Sequence, residues 1–340
     1  MTSKEIVRAN IRHQSPSRLA WDFYDNRYRD IAYMASPRII SAYGDDCSVW
    51  GNHHALSEKC RFDGETRIDV FGNVLGRYGG RTKGECIKGA LQDGWEGFDD
   101  YRFPTLDKAW KGAMPEGAAD KYILCGMPTG VFSVLRDVRR IDNALMDTVL
   151  EPEMVEAFLD KVVLLMIDCV RAAASSGADG IMFGDDWGTQ TSSFISPSSF
   201  RSLFKPAYKR IADTCRALDV DMFFHSCGCV APLVDDMIDA GIAAFQFDQP
   251  ELSGVEYWAE KYGGKASFYC PVDIQKILPT GDRRIIEEGA KRMADAFTRV
   301  GGGLIAKDYG AGPESWADIQ VAPEWVDWAR DVITANSDIR

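Results

Sequence analysis

The sequence predicts an α/β fold, a (β/α)₈ TIM barrel with irregular insertions in its amino-terminal part. Three observations support this prediction. The chain has 340 residues, which suits one large barrel domain. From Lys121 onward, short apolar runs alternate with longer helical patterns, as expected for parallel strands that are buried on both faces. No G-x-G-x-x-G motif follows an early strand, which disfavours an open doubly wound sheet as the alternative.

Most of the expected elements lie after residue 121. The strand candidates are residues 18–24, 122–126, 180–184, 220–225, 242–247, 266–270 and 303–306. The helix candidates are residues 1–13, 151–176, 197–218, 231–240, 256–262, 284–300 and 323–334. Because a barrel of this class needs eight strands, we expect one further strand in the irregular part of the chain.

The irregular part covers residues 35–120 and decorates a single domain that spans residues 1–340. It is rich in Gly, Asp and aromatic residues and shows no regular period. Residues 69–80 predict a hairpin, and the run at 66–70 is expected to be decoration rather than a barrel strand. His53 and His54 follow no periodic strand, so we expect both at the surface.

Charge and composition exclude several classes of function. Lys and Arg number 39 against 51 Asp and Glu, and the resulting net charge of −12 disfavours binding to nucleic acid or anionic lipid. The most apolar long stretch, residues 154–174, is broken by charged residues, so we expect no membrane span. The amino terminus shows no signal peptide, and we expect the nine cysteines to be reduced thiols of a cytoplasmic protein. Twofold-symmetric dimers are the commonest soluble oligomers, so a homodimer is the expected state.

Polar residues follow the strand candidates where a barrel carries its chemistry, at the carboxyl ends of the strands. Asp185 and Asp186 come directly after the strand at 180–184, and we predict that they are catalytic carboxylates. Other polar or aromatic residues near strand ends are predicted to bind substrate: Asp22, Tyr24, Trp187, Gln190, Gln246 and Tyr309.

An H-x-C motif at the end of the strand at 220–225 predicts a metal site. His225 and Cys227 form the motif, and Cys270 ends another strand 43 residues after Cys227. An imidazole with two thiolates suits Zn²⁺, and three protein ligands leave the fourth position open for chemistry. Cys229 and Asp185 remain alternative ligands.

The long segment from Gly177 to Gln275, which contains GDDWGTQ and HSCGC, resembles the uroporphyrinogen decarboxylase superfamily. It is most similar to the corrinoid-dependent methyltransferase branch, which includes methylcobamide:coenzyme M methyltransferases and the methyltransferase components of O-demethylase systems. The resemblance implies a (β/α)₈ barrel and a zinc ion bound through His-x-Cys and a later Cys. His225 and Cys227 match that pattern. The family's last Cys corresponds here to Ala306-Lys307-Asp308, so Cys270 departs from the pattern.

The resemblance also implies a reaction. A methyl group would move from a small methylated substrate, such as a methoxylated aromatic, to the cobalt of a corrinoid (cobalamin) carried by a partner protein. The alternative is a second-stage transfer from the methylated corrinoid to a thiol or tetrahydrofolate. Decarboxylation is less favoured, because the Arg-Gln-Ala-Gly-Arg segment of true decarboxylases reads WDFYDNR here, with Asp22 and Asp25 in it. A binding protein without a metal is a further alternative.

Overall fold

The structure is a computed structural model that describes residues 1–42, 66–76, 85–310 and 312–339. The described residues form the following strands: β1 Ala20–Asp22, β2 Ile31–Met34, β3 Ile39–Ile40, β4 Thr66–Ile68, β5 Val74–Gly76, β6 Glu85–Lys88, β7 Thr105–Leu106, β8 Tyr122–Gly126, β9 Gly180–Gly184, β10 Asp221–His225, β11 Ala244–Gln246, β12 Ser267–Cys270 and β13 Leu304–Lys307.

Eight of these strands form one sheet in the order β1-β13-β12-β11-β10-β9-β8-β2, and every neighbouring pair in it is parallel. The two end strands, β1 and β2, are consecutive in the chain. A short 3₁₀ turn, Asn26–Tyr28, connects them, and the Asp30 N–H donates a hydrogen bond of 2.7 Å to the Trp21 carbonyl. The sheet is therefore a nearly closed barrel, and the predicted (β/α)₈ fold is confirmed.

Helices surround the barrel. They are α1 Ser3–Ile11, α2 Val131–Arg139, α3 Ile141–Leu150, α4 Pro152–Ser175, α5 Pro197–Ser199, α6 Lys205–Ala217, α7 Ala231–Ala240, α8 Val255–Tyr262, α9 Arg283–Arg299, α10 Pro313–Asp318 and α11 Pro323–Ala335. A π-helical stretch, Phe200–Phe204, joins α5 to α6. Every helix predicted from the sequence is present within one or two residues of its expected ends, whereas α2, α3 and α10 were not predicted.

The eighth barrel strand is β2, which lies just before the irregular part instead of inside it. β4 belongs to a separate antiparallel sheet with β5 and β6, so the run at 66–70 is decoration, as expected. Asp69 holds the turn between β4 and β5 by accepting hydrogen bonds from the Phe71 and Asn73 N–H groups. Residues 77–80 of the predicted hairpin, together with His53 and His54, lie outside the described residues.

Side chains of the barrel strands pack in two apolar layers. Alternate residues point into the barrel, where Tyr122, Phe223 and Tyr269 pack together, and the intervening residues pack against the helices. Side chains of α1 join the interior layer and cover one end of the barrel. Among the described residues, no helix combines the length and apolar character needed to cross a membrane. The seven cysteines that the structure describes are free thiols.

Candidate metal centre and adjoining cavity

Polar side chains replace apolar ones at the carboxyl end of the barrel interior. The apolar interior layer includes Ala20, Phe223, Ala244 and Ile305. On each of these four strands, the residue two positions later also points into the barrel. These later residues are Asp22, His225, Gln246 and Lys307. Because the strands are parallel, these polar side chains meet at one end of the barrel, where barrel enzymes carry their active sites.

Asp186, His225 and Cys227 form a compact, half-buried cluster at this end. The His225 Nε2 atom lies 3.4 Å from Cys227 Sγ and 3.5 Å from Asp186 Oδ1. One ligand atom from each residue lies within 4.8 Å of the other two. An imidazole nitrogen, a thiol and a carboxylate are all donors that bind Zn²⁺. The cluster is therefore a candidate metal centre.

Gln246 holds the His225 imidazole in one orientation. Its amide nitrogen donates a hydrogen bond of 2.7 Å to Asp248 Oδ1, so its amide oxygen must face His225. That oxygen is hydrogen-bonded to His225 Nδ1. Because an amide oxygen only accepts, Nδ1 carries a proton and Nε2 is the nitrogen directed at the cluster. An outer hydrogen-bond partner of this kind is typical of metal-binding histidines.

The electrostatics of the cluster favour positive charge at its centre. Burial lowers the pKa of His225, but hydrogen bonds to Asp186 and Cys227 outweigh burial and raise the pKa to about 10. Burial raises the pKa of Asp186, but hydrogen bonds from His225 and from the Cys227 N–H bring it down to about 2. The hydrogen bond that the Cys227 N–H donates to Asp186 Oδ1 measures 2.9 Å. A proton and a metal ion would therefore compete for this position.

A close contact between the loops after β9 and β10 sets the spacing of the cluster. The Cys229 N–H donates a hydrogen bond of 2.7 Å to the Thr189 carbonyl. Gly228 permits this contact, because its φ is +83° and a Cβ atom there would lie 2.2 Å from the Gly188 carbonyl oxygen. This contact holds Asp186, on the loop after β9, beside Cys227, on the loop after β10.

A cavity of about 560 Å³ opens at the same end of the barrel, and Gln246 connects it to the cluster. Two carboxylates and two cations line it: Asp22, Asp308, Arg29 and Lys307. The remaining lining residues are Tyr24, Tyr33, Met182, Gln246, Tyr269, Gly310 and Ser315. The cavity thus combines aromatic and apolar walls with a balanced set of charges.

Asp22 is a buried acidic residue of the cavity lining, with 7% of its surface exposed. The hydroxyl groups of Tyr33 and Tyr269 both hydrogen-bond to its Oδ2 atom. Arg29 Nε lies 3.8 Å from Oδ1, and no described residue donates a hydrogen bond to Oδ1. Burial raises the pKa of Asp22, and the two hydroxyls and the nearby cations offset only part of that effect.

Asp308 is the second carboxyl group of the cavity. Burial raises its pKa to about 6, although the Tyr24 N–H donates a hydrogen bond of 2.7 Å to its Oδ2 atom. A carboxyl group that titrates this close to neutral pH can both release and accept a proton. Asp308 is therefore a candidate acid–base group.

Comparisons with known proteins place the chain in a family. The family model described as uroporphyrinogen decarboxylase (URO-D) matches residues 99–307, well over half of the 340-residue chain. The chain belongs to the uroporphyrinogen decarboxylase family. Among solved structures, a methyltransferase from Methanosarcina mazei is similar over 98% of this chain and 99% of that chain, with 17% identity and a TM-score of 0.64.

A more distant structural match is D-psicose 3-epimerase with D-tagatose from Clostridium cellulolyticum H10. It is 10% identical, covers 64% of this chain and 78% of that chain, and has a TM-score of 0.41. No curated protein sequence matches the chain. At 17% identity, the likeness to the Methanosarcina mazei methyltransferase shows a shared fold alone.

In this member of the uroporphyrinogen decarboxylase family, Cys270 lies away from the cluster. Tyr269 packs in the barrel interior, so Cys270, the next residue of β12, faces the helices. It is 2% exposed, and burial raises the pKa of its thiol to about 12. Surroundings of this kind disfavour the thiolate form of a cysteine. Cys270 is not a member of the cluster, whose third residue is Asp186.

Asp185 lies beneath the site and caps a helix. Its carboxylate accepts hydrogen bonds of 2.7–3.0 Å from the backbone N–H groups of Val131, Phe132 and Ser133, and one of 2.7 Å from the Tyr208 hydroxyl. These N–H groups form the first turn of α2, so a residue distant in sequence supplies the cap. Burial raises the pKa of Asp185. With both oxygens engaged and no exposed surface, Asp185 has a structural role, against the expectation of catalysis or metal binding.

Three of the predicted substrate-binding residues line the cavity, namely Asp22, Tyr24 and Gln246. Trp187 does not, because it is fully buried and stacks on Phe132 with 4.0 Å between the ring centroids. Gln190 is exposed on the loop after β9 and lies outside the cavity lining. Tyr309 is half-buried and lines a separate small cleft, and the alternative ligand Cys229 lies outside the cluster.

Four residues of the cavity lining were not among the predicted site residues. Lys307 and Asp308 directly follow the last strand candidate, where polar residues are expected to carry chemistry, but no role was predicted for them. Tyr33 belongs to β2, a strand that the sequence pattern did not reveal. Arg29 lies on the turn before that strand, in a segment without any periodic signal.

Proposed function

We propose that this chain is a zinc-dependent methyltransferase. It moves a methyl group from a small methylated substrate, such as a methoxylated aromatic, to the cobalt of a corrinoid carried by a partner protein. The observation that carries the proposal is the Asp186–His225–Cys227 cluster beside a cavity of about 560 Å³ at the carboxyl end of the barrel. The likeness to the methyltransferase from Methanosarcina mazei over 98% of the chain supports it.

The donor set of the cluster fits zinc. Imidazole, thiolate and carboxylate are the three ligand types that zinc takes in proteins, and three ligands leave one position for a substrate atom. Gln246 presents the correct nitrogen of His225. Bound zinc would supply a Lewis acid that withdraws charge from the leaving oxygen of the methyl donor. Asp186, His225 and Cys227 are the residues that would hold it.

The other residues of the site bind the substrate and manage its proton. The Tyr24 and Tyr269 rings and the Met182 thioether offer apolar surface to an aromatic methyl donor. Transfer of the methyl group to the corrinoid would break its carbon–oxygen bond, and the leaving oxygen would need a proton. Asp308, whose pKa is about 6, is the carboxyl group of the cavity suited to supply that proton.

The charges of the cavity disfavour decarboxylation of a porphyrinogen. A tetrapyrrole with many carboxylates requires a strongly cationic cleft. Here Asp22 and Asp308 offset Arg29 and Lys307 in the same lining. The alternative is transfer in the opposite direction, from a methylated corrinoid to a thiol or tetrahydrofolate. It would use the same residues, so an assay of both directions distinguishes the two reactions.

Elemental mass spectrometry of the purified protein tests the metal centre. We expect about one zinc ion per chain, which is lost when any one of the three ligands is replaced by alanine. Cys227→Ala is the most informative variant, because Cys229→Ala makes the same chemical change two residues away and is expected to retain zinc. Cys270→Ala is also expected to retain it. Wild-type protein that takes up no zinc under reducing conditions would contradict the proposal.

Methyl transfer is tested with zinc-loaded protein, cob(I)alamin and a panel of methoxylated aromatics, methylamines and methylated thiols. Formation of methylcobalamin is followed by absorbance, and the reverse reaction is followed with methylcobalamin and thiols or tetrahydrofolate. The Cys229→Ala variant serves as the matched active control for Cys227→Ala. Zinc-loaded protein that transfers methyl groups in neither direction would overturn the proposed activity while leaving the metal site in place.

A further inference from the structure

We propose that Asp248 is a positioning residue of the metal centre, because it orients the Gln246 amide and thereby fixes which nitrogen of His225 faces the metal. The inference rests on the proposed function only in calling that metal zinc. Asp248 belongs neither to the metal cluster nor to the lining of the cavity, so it lies behind the residues that would touch a ligand. Its physical basis is a hydrogen-bonded chain that runs from Asp248 through Gln246 to His225.

The amide of Gln246 has two ends that fit the same space but have opposite hydrogen-bonding character. Its oxygen only accepts, and its nitrogen only donates. With the oxygen toward His225, Nδ1 carries the proton and Nε2 remains free to bind a metal. A reversed amide would donate to Nδ1 of a neutral imidazole, place the proton on Nε2 and so block the nitrogen that is directed at the cluster. The metal centre therefore depends on what holds the far end of this amide.

Asp248 distinguishes the two ends of the amide. Its Oδ1 atom accepts a hydrogen bond of 2.7 Å from Gln246 Nε2. Reversal would turn the amide oxygen toward this carboxylate and the amide nitrogen toward the proton on His225 Nδ1, so acceptor would face acceptor and donor would face donor. Gln246 is 6% exposed, and buried polar groups of this kind need partners. One carboxylate therefore selects one orientation of the amide.

Two contacts hold Asp248 in place. The Lys307 ammonium lies 3.7 Å from the same Oδ1 atom, and 13% of the Asp248 side chain and 10% of the Lys307 side chain are exposed. The Ile274 N–H donates a hydrogen bond of 3.3 Å to the Asp248 carbonyl. The Lys307 ammonium also lies 5.3 Å from the centre of the Tyr269 ring. A side chain that is held in this way is preorganised to orient its neighbour.

The first test compares the zinc affinities of two Asp248 variants by chelator competition. Asp248→Asn removes the charge but keeps an oxygen that accepts from Gln246, and the Lys307 ammonium favours that oxygen at the Oδ1 position. Asp248→Leu removes the charge and the acceptor together. Asp248→Leu is therefore expected to bind zinc about tenfold more weakly than Asp248→Asn, at the lower end of the effect of losing an outer partner.

A double-mutant cycle tests whether Asp248 acts through Gln246. In the Gln246→Leu background there is no amide to orient, so the difference between Asn and Leu at position 248 is expected to shrink to about twofold or less. Asp235→Leu is the control for loss of a carboxylate elsewhere. Its side chain is 70% exposed and lies 3.1 Å from Lys261, so this variant is expected to bind zinc as wild type does.

The Nδ1 proton of His225 gives a second readout, which needs no metal. A ring proton that is hydrogen-bonded to a buried acceptor is protected from exchange with water and gives a proton NMR signal. We expect this signal in chelator-treated wild-type and Asp248→Asn protein, and its absence from His225→Gln assigns it among the four histidines of the chain. Asp248→Leu and Gln246→Leu are expected to lose the signal, because the amide oxygen no longer holds the proton.

The outcomes separate this inference from the proposed function. Equal zinc affinity of the two Asp248 variants, or a tenfold difference that persists in the Gln246→Leu background, would overturn the positioning role. A proton signal that is missing from wild type or unchanged in Asp248→Leu would overturn it as well. Circular dichroism checks folding, and Asp248→Ala replaces Asp248→Leu if the latter does not fold.

Failure of the proposed function has a different signature. Wild-type protein that takes up no zinc would end the zinc proposal, while the His225 proton signal would still decide the role of Asp248. Zinc-loaded protein without methyl transfer would leave both the affinity comparison and the proton signal as expected.

Discussion

The adjacent carboxylates Asp185 and Asp186 are expected to respond to substitution in opposite ways. Asp185→Ala removes the acceptor of three backbone N–H groups and one tyrosine hydroxyl, all of them buried. At roughly 1 to 1.5 kcal/mol for each lost hydrogen bond, the free energy of unfolding should fall by about 4 to 6 kcal/mol. That loss is a large share of the roughly 5 to 15 kcal/mol that stabilises a typical domain.

Asp186→Ala supplies the contrast. Its side chain is 43% exposed and it loses only the Cys227 N–H and the His225 ring as partners, so the expected loss of stability is smaller, about 1 to 2 kcal/mol. Zinc content should fall in Asp186→Ala and stay at the wild-type level in folded Asp185→Ala, because Asp186 is a proposed ligand and Asp185 is not. Asp185→Asn keeps one acceptor oxygen and should lose about half as much stability as Asp185→Ala.

Urea unfolding followed by circular dichroism measures the stability of all three variants, and elemental analysis of the folded fraction measures zinc. Asp185→Ala is expected to unfold at a much lower urea concentration than wild type, and its folded fraction is expected to keep zinc. An Asp185→Ala protein as stable as wild type but devoid of zinc or activity would refute the capping role. It would restore Asp185 as a functional carboxylate.

Three further predictions concern His225 of the cluster and two residues near the cluster. Gln246→Leu should weaken zinc binding about 10- to 100-fold in a chelator competition, because His225 loses its orienting partner. Because the pKa of His225 is raised from 6.5 to about 10, its protonated form stabilises the fold below pH 6.5, and that contribution is lost as the pH rises through 10. Urea unfolding of chelator-treated protein should therefore lose stability on the order of a few kcal/mol over that range, and His225→Gln should flatten the dependence. Tyr208→Phe removes a donor to Asp185 and an acceptor for Trp187, so it should cost about 1 to 2 kcal/mol in urea unfolding while zinc content is unchanged.

The barrel could be predicted from the sequence wherever its elements carry a local signal. Apolar runs such as residues 180–184 and capped helices such as α1 were found because their patterns are contained in a short window. The helix α2 was missed for a physical reason. Its N-terminal N–H groups are satisfied by Asp185, more than 50 residues away, so no capping residue precedes it in the chain.

The residues of the candidate site were likewise predicted correctly only where they lie close together in the chain. His225 and Cys227 were found because a single strand end carries both. Cys270 was assigned to the cluster because it also ends a strand, but the direction of its side chain depends on the register of β12 in the barrel, which a short run does not reveal. The roles of Asp185 and Asp186 were not separated because neighbouring residues have the same sequence context and opposite surroundings in the fold.

The sequence by itself determined the fold class, the acidic character of the chain and the H-x-C motif, since each of these is a property of composition or of residues close together in the chain. The homodimer, the single domain and the corrinoid partner stay predictions. Only the tertiary structure decided that Asp186 completes the candidate metal cluster, that Asp185 caps a helix and that Asp22 keeps one oxygen free in a cavity. These outcomes depend on which way each side chain points and on what approaches it from distant segments, and both are set when the strands pair and the helices pack.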